Sequence, residues 1–175
     1  DQKLKVVKLK SMAETLLFIQ KHDFADFDAL ADYMDAASAK TKELTAKIKA
    51  AESRMAEIAV LKTHIINYAK TRDIYAAYRK AGYSEKYYDA HESDIIIHKA
   101  AKKAFDDLAL KKLPTVKSLQ AEYSDLLVQK KLDYAALAKA RDEAKQLQIY
   151  KANAEMLLRT DADEQRQARE HQQEK

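Results

Sequence analysis

The chain contains 175 residues, and 34% of them are charged, with 32 Lys and Arg against 28 Asp and Glu. It has one glycine and one proline. Because strand-rich folds need turn residues every few positions, this composition excludes all-β and α/β folds and favours long helices or coiled coil. The net charge of +4 permits contact with nucleic acid without indicating it.

The sequence also limits where the protein works. It contains no cysteine, which excludes disulfides and thiolate metal sites and fits a reducing compartment, so we expect a cytoplasmic protein. No apolar run approaches the ~20 residues of a membrane span, and no signal peptide is visible, so we expect no membrane contact. The chain starts at Asp1 rather than Met, which allows it to be a fragment of a longer protein.

Two helices are predicted in the first half of the chain. The first covers residues 3–21 and has a broad apolar face, formed by Leu4, Val7, Leu9, Met12, Ala13, Leu16, Leu17 and Phe18. Asp26 is the expected N-cap of the second helix, which is predicted over residues 26–81. From Phe27 to Ile58, apolar and small residues recur at alternating intervals of three and four, which is the pattern of a coiled-coil seam.

The second helix ends in a distinctive segment at residues 60–88, VLKTHIINYAKTRDIYAAYRKAGYSEKYY. It holds six of the ten tyrosines, several basic residues and the only glycine, Gly82. A residue without a Cβ most easily adopts the left-handed conformation that ends a helix, so the second helix is predicted to run about 55 residues before stopping at Gly82. The Ser84 hydroxyl is predicted to cap the next helix. This segment is therefore interpreted as a helical hairpin corner.

Two more helices are predicted in the second half. The third covers residues 85–109, with core spacing at Tyr88, His91, Ile95, His98, Ala101, Phe105 and Leu108. The fourth covers residues 116–159 and is capped by either Thr115 or Ser118. Residues 161–175 contain no large apolar side chain, so they are predicted to be frayed helix or disordered.

The helix lengths predict the fold. The second and fourth helices are both long, and a tight connection through the third makes them antiparallel. We therefore predict an all-α fold, an elongated antiparallel helical hairpin with a coiled-coil stalk and a shorter helix packed at each end. Residues 1–160 are predicted to form a single domain. The seam is so polar that its partner helix could belong to the same chain or to a second copy of it. The sequence therefore leaves a homodimer as an alternative to a monomer.

No pattern in the sequence indicates catalysis or a metal centre. His91 and His98 are seven residues apart, whereas helical metal pairs are three or four apart, so both are interpreted as partly buried structural residues, with a pH-sensitive or ligand-contacting role as the alternative. Adjacent carboxylates such as Asp106 and Asp107 point to different sides of a helix. With one glycine, no phosphate-binding loop or nucleophile elbow can form. We expect neither enzyme activity nor a cofactor in this chain.

Basic residues around the tyrosines are the candidates for a binding surface. Lys and Arg neutralise phosphates, and tyrosines stack on exposed bases or bind phosphate oxygens. The alternative is that the charges solubilise the outer face while the tyrosines fill the core. The spacing does not choose between DNA and a protein partner. The predicted contact residues are Lys62, Lys70, Arg72, Tyr75, Arg79, Lys80, Tyr83, Lys86, Lys99, Lys102 and Lys103.

The stretch from Glu57 to His91, EIAVLKTHIINYAKTRDIYAAYRKAGYSEKYYDAH, resembles the helical C-terminal region of the relaxase/mobilization nuclease proteins (MobA/MobL type) of Gram-positive mobile genetic elements. The similarity extends to LKSMAETLLFIQKH at 9–22, HKAAKKAFDDLALKKLP at 98–114 and NAEMLLRTD at 153–161. It therefore covers most of the chain, and its most specific parts are THIINYAKTRD and YRKAGYS.

The resemblance implies a role in conjugative mobilisation. A full-length relaxase nicks one DNA strand and becomes joined to it through a tyrosine, in a nuclease domain with a metal-binding histidine cluster. That domain is not in this sequence, so no tyrosine here is the expected nucleophile. The implied uses of the helical region are DNA contact beside the nick, or docking to the type IV transfer machinery or another protein of the relaxase complex. The competing hypothesis is a coiled-coil spacer or dimerisation module without nucleic-acid binding.

Overall fold

The computed structural model describes residues 2–108 and 112–173, apart from the side chains of residues 168 and 170–173. The described residues form four helices: α1 (Gln2–His22), α2 (Phe27–Lys80), α3 (Glu85–Asp107) and α4 (Val116–Gln173). The predicted all-α class is confirmed, with the long α2 and α4 packed antiparallel and the shorter α1 and α3 packed against them. α2 runs without a break for 54 residues.

The chain divides into two compact units. The first unit comprises Asp1–Ala46 with Tyr134–Lys175, and the second comprises Lys47–Asp133. The long helices contribute to both units, whereas α1 belongs to the first and α3 to the second.

One helix, α4, extends well beyond its predicted end. α4 continues to Gln173, so residues 161–173 are helical, although the sequence predicts fraying or disorder after residue 159. The reason is that Glu, Gln, Arg and Ala are good helix formers even without an apolar stripe. The predicted end of α3 at residue 109 lies outside the described residues, and α3 as described ends at Asp107.

The corner between α2 and α3 is closed by a Schellman motif. Gly82 and Tyr83 both have left-handed backbones, with φ of 59° and 61°. The Tyr83 N–H donates to the Tyr78 carbonyl at 3.0 Å, and the Gly82 N–H donates to the Arg79 carbonyl at 3.1 Å. The rings of Tyr78 and Tyr83 meet edge to face at 5.2 Å, which supplies the contact that usually accompanies this motif. Gly82 therefore ends α2 as predicted.

The helix caps agree with the sequence at two of three positions. Asp26 Oδ1 accepts a hydrogen bond from the Ala29 N–H at 2.8 Å, and Thr115 Oγ1 accepts one from the Ser118 N–H at 3.0 Å. Thr115 is thus the cap of α4. Ser84 occupies the N-cap position of α3 but makes no capping bond through its side chain, so the prediction for its hydroxyl is wrong.

Ion pairs and apolar burial hold α2 against α4 in the second unit. The core consists of Ile58, Leu61 and Leu119, and Ile58 is 1% exposed. At its edge the Arg54 guanidinium donates to both carboxylate oxygens of Glu122, at 2.7 and 3.1 Å. This hydrogen bonding holds the pKa of Glu122 below its usual value. Lys62 Nζ donates to Gln120 Oε1 at 2.6 Å, further along the antiparallel pair.

α3 packs against this core along one stripe. Ile95 and Ala101 are fully buried, and His98 is 3% exposed, as their spacing predicts. Leu108, predicted to be in the core, is 54% exposed instead, because the helical stripe that faces α2 ends before it.

The first unit buries Leu30, Leu137 and Leu147 between α2 and α4. α1 closes this unit through Phe18, whose ring stacks on Tyr150 at 4.6 Å. α1 packs against the long helices as predicted, but only part of its predicted apolar face is covered, with Met12 and Phe18 half-buried. The large residues of that face that are exposed are Leu4, Val7, Leu9, Leu16 and Leu17, at 49–72%. The one buried side chain of α1 is Thr15.

We expect the substitution Gly82→Ala to lower the free energy of unfolding by about 1–2 kcal/mol, the cost of a left-handed conformation for a residue with a Cβ. No heavy atom lies within 4 Å of the position that this Cβ would take, so crowding does not contribute. Gly82→Asn is the matched control and should lose less stability, because Asn tolerates this conformation better. Urea unfolding followed by circular dichroism measures both; an Ala variant as stable as the parent would contradict the assignment.

Candidate functional site

The α2–α3 corner presents four of the predicted contact residues together. Arg79 and Lys80 lie in the last turn of α2, Tyr83 lies in the connecting turn, and Lys86 lies in the first turn of α3. All four side chains are exposed, and Tyr83 is 58% exposed. We call Arg79, Lys80, Tyr83 and Lys86 the corner surface.

The corner surface is positively charged. Residues 79–86 contain three cations and one carboxylate, Glu85, which gives a net charge of +2. Among the described residues, none of the three cations has a carboxylate partner within 4.0 Å. Arg79 and Lys80 complement the dipole at the end of α2, so helix stability alone accounts for them. Lys86 lies at the N-terminus of α3, which is the positive end of the helix dipole. A cation is unfavourable there, so helix stability does not account for Lys86.

Several other predicted contact residues are engaged within the fold. Lys62 links α2 to α4 through Gln120. Arg72 Nε lies 3.1 Å from Asp73 Oδ1, in an exposed pair. Lys99 Nζ lies 6.0 and 5.9 Å from the ring centroids of Tyr78 and Tyr88, in cation–π geometry. Lys62 and Lys99 thus have contacts within the fold, whereas the Arg72–Asp73 pair is exposed and contributes little to stability.

Lys70, Lys102 and Lys103 are exposed but do not form a purely basic face. Lys102 and Lys103 share α3 with exposed carboxylates at Glu92, Asp106 and Asp107, which makes the surface of that helix mixed in charge. Such mixing is typical of a solvated helix rather than of a phosphate-binding stripe. The concentration of positive charge is therefore at the corner.

Five of the six tyrosines of this region are packed rather than free. Tyr78 is 8% exposed, and its ring lies 5.2–6.3 Å from those of Tyr75, Tyr83, Tyr87 and Tyr88. Tyr75, a predicted contact residue, is half-buried and stacks on His98 at 4.3 Å. Only the ring of Tyr83 is largely exposed among the six.

His98 is the centre of an aromatic stack that sequence reasoning missed. Its imidazole lies between the rings of Tyr68 and Tyr75, at centroid distances of 4.5 and 4.3 Å. The Thr71 hydroxyl donates to the Asn67 carbonyl at 2.7 Å, so its oxygen accepts a hydrogen bond from His98 Nδ1–H at 3.0 Å. The sequence did not predict this stack, because Tyr68 and Tyr75 belong to α2 and His98 belongs to α3. Spacing along one helix does not show which residues of another helix it meets.

Burial lowers the pKa of His98, and the positive charge of Lys102 lowers it further. The imidazole is therefore neutral at pH 7, with its proton assigned to Nδ1 by the hydrogen bond to Thr71. His98 is therefore a structural residue, because its Nδ1 is hydrogen-bonded to Thr71 and both faces of its ring are covered by tyrosines.

His91 has a different role in α3. Its backbone is not helical, with φ of −134° and ψ of 25°, so α3 bends there. The ring of His91 lies 4.5 Å from that of Tyr87. The bend was not foreseen, since neither proline nor glycine marks it.

Within residues 2–108 and 112–173, no three His, Asp or Glu side chains come together in a way that could hold a metal ion. One open groove of the second unit has a volume of about 440 Å³, and its lining includes Arg54, Glu57, Val60, Leu61, His64 and Leu108. No described helix is both long enough and apolar enough to cross a bilayer.

Comparison of the chain with protein-family models, with curated proteins and with solved structures gives no match.

We expect the protein to lose stability as the pH falls below about 6.5, the ordinary pKa of histidine. Because the folded-state pKa of His98 is lowered, the unfolded chain binds the proton first, so stability is complete above this pH and declines until folded His98 also protonates. Urea midpoints at pH ~7.5 and ~5 measure the loss. The variant His98→Gln should show a smaller loss than the parent, whereas the control His64→Gln should match the parent. Equal losses in all three proteins would contradict the assignment.

Proposed function

We propose that the chain is a non-catalytic helical module of a plasmid or transposon mobilisation relaxase, working in the bacterial cytoplasm. Its role is to contact DNA during conjugative transfer through the corner surface. The resemblance of residues 57–91 to the helical region of such proteins supports the setting, and the corner surface lies within that stretch.

One observation carries the proposal. An exposed tyrosine, Tyr83, lies in a turn between exposed cations on both sides of it, Arg79 and Lys80 before and Lys86 after. Cations bind phosphates, and an aromatic ring stacks on an unpaired base regardless of its identity. The combination suits single-stranded DNA better than duplex DNA, whose bases are already stacked. The net charge of +4 is mild, so we expect this DNA contact to be weak and to supplement the main DNA contact of the relaxase.

Two other functions remain as alternatives. The same surface could dock a protein of the type IV transfer machinery or of the relaxase complex, since cations and tyrosine also suit protein contacts. The second alternative is a structural spacer or dimerisation module without nucleic-acid binding. The unbroken 54-residue length of α2 and its coiled-coil seam favour the spacer.

We expect Arg79→Ala with Lys80→Ala to weaken binding to a single-stranded oligonucleotide by about tenfold at ~50 mM salt. The slope of log affinity against log salt should fall by about 1.4, because two phosphate contacts to a single strand are lost. Fluorescence anisotropy measures both quantities, and circular dichroism should show unchanged helicity.

The matched control is Lys139→Ala with Lys145→Ala, which removes the same charge from exposed positions of the first unit and should leave binding nearly unchanged. Equal weakening by both pairs would show that net charge, not the corner, drives binding. Undetectable binding of the parent at low salt would remove the DNA function and favour the spacer.

We expect Tyr83→Ala to weaken single-stranded binding by about 1–3 kcal/mol through lost stacking, with an unchanged salt slope because no charge is removed. Tyr83→Phe keeps the ring and should bind like the parent. Duplex binding should not respond to either variant. If the Tyr83→Ala variant binds single strands as tightly as the parent, stacking on Tyr83 is contradicted and only phosphate contacts are left for the corner surface.

A further inference from the structure

α1 has apolar residues all round and leaves many of them exposed, although Met12, Phe18 and Ile19 are half-buried on the side that meets the rest of the first unit. Its buried side chain is Thr15, which is 0% exposed, while Val6, Leu9 and Leu17 are 64–67% exposed. A helix normally turns its apolar stripe toward the core and its polar side toward water. Exposed apolar patches of this kind on a folded protein are typical of interaction surfaces.

Polar contacts fix this orientation. The Asn153 side chain on α4 donates to Ser11 Oγ at 3.0 Å and to Thr15 Oγ1 at 2.9 Å. The Thr15 hydroxyl in turn donates to the Ser11 carbonyl at 2.8 Å. Since Phe18 stacks on Tyr150 of the same helix, the side of α1 with Ser11, Thr15 and Phe18 is committed to the first unit. The opposite side faces outward at Val6 and Ala13, and at its edge Leu9 and Leu16 line open grooves that α1 forms with α4.

The outward side carries a coiled-coil pattern of its own. Val6 and Thr15 are nine residues apart, about two and a half helical turns, which places them on opposite sides of α1. From Val6 the exposed positions recur at intervals of three and four: Val6, Leu9, Ala13, Leu16 and Gln20. We call these five positions the outer seam. This spacing is that of the a and d positions of a heptad, which pack against a second helix.

Charge determines what kind of helix fits the outer seam. With Val6 at an a position, Lys5 and Lys10 take the flanking g and e positions, where interhelical ion pairs form. α1 as a whole contains five lysines and one glutamate. A second copy of α1 would therefore bring lysines against lysines at the start of the seam, which is unfavourable. Carboxylates at the facing positions of a partner would complement them.

We propose that the outer seam of α1 is a docking site for an acidic amphipathic helix of a partner protein. The partner helix presents apolar residues at a and d positions and Glu or Asp beside them, and it packs against Leu9 and Leu16 while pairing with Lys5 and Lys10. This site lies in the first unit and does not depend on the function proposed for the corner surface.

The test uses the full chain and two synthetic peptides of about four heptads, both with Leu at a and d. The acidic peptide has Glu at its e and g positions, and the basic peptide has Lys there. At ~50 mM salt, anisotropy titration should show micromolar binding of the acidic peptide and at least tenfold weaker binding of the basic one, because the flanking charges select the partner.

Two seam substitutions locate the binding. Leu9→Gln with Leu16→Gln should weaken acidic-peptide binding at least tenfold, and both residues are exposed enough for the fold to tolerate the change. Val128→Gln with Leu132→Gln is the matched control, since both side chains are 60% exposed on α4 in the second unit. That control should bind like the parent. Equal loss in both variants would overturn the location.

A charge reversal tests the selectivity. Lys5→Glu with Lys10→Glu should reverse the preference, so that the basic peptide binds more tightly than the acidic one. The proposal is overturned if neither peptide binds, or if the parent binds both equally. It is also overturned if sedimentation shows a dimer that the Leu9→Gln, Leu16→Gln variant abolishes, or if the seam binds vesicles with ~30% phosphatidylserine but no peptide.

Discussion

The left-handed turn at Gly82 and Tyr83 is the constraint on which the second unit depends. α2 has to stop and reverse there for α3 to place Ile95, His98 and Ala101 against it. Gly82 adopts this conformation without cost, whereas Tyr83, also at positive φ, does not. Its hydrogen bond to Tyr78 and the contact between their rings offset the strain. A strained non-glycine residue with an exposed side chain is the kind of position at which binding function concentrates.

Packing and solvation account for most of the features that made residues 60–88 look functional. The tyrosines, apart from Tyr83, fill the interior around Tyr78 and His98, and several cations are committed to Gln120, Asp73 or aromatic rings. Apart from these residues and the exposed Lys70, the segment leaves the corner surface, with three cations and one ring. The four residues of the corner surface lie within eight consecutive positions of the chain, 79–86. Their proximity therefore follows from the local backbone and does not depend on long-range packing.

The sequence predicted the class of fold and the corner because both follow from local physics. A single glycine, a continuous helical pattern and short connections determine α2, α3 and the antiparallel pairing. The outward apolar side of α1, the stack around His98 and the bend at His91 could not be predicted in the same way. Each depends on which side of a helix meets its neighbour, and helical periodicity does not reveal this when apolar residues occur all round, as on α1. The sequence alone also does not distinguish the corner surface from the other basic residues, because composition identifies cations but not the side chains that they contact, such as Gln120 beside Lys62.

The amide of Asn153 has a consequence for the rotation of α1 about its own axis. Apolar packing alone is non-directional, so a helix with apolar residues all round could settle at several rotations. Hydrogen bonds have preferred directions, and those from one amide to Ser11 and Thr15 are satisfied at a single setting. A half-buried polar group at a helix interface selects one arrangement, as a polar residue in a coiled-coil seam selects one register. The interior of the first unit thereby decides what α1 shows to the solvent.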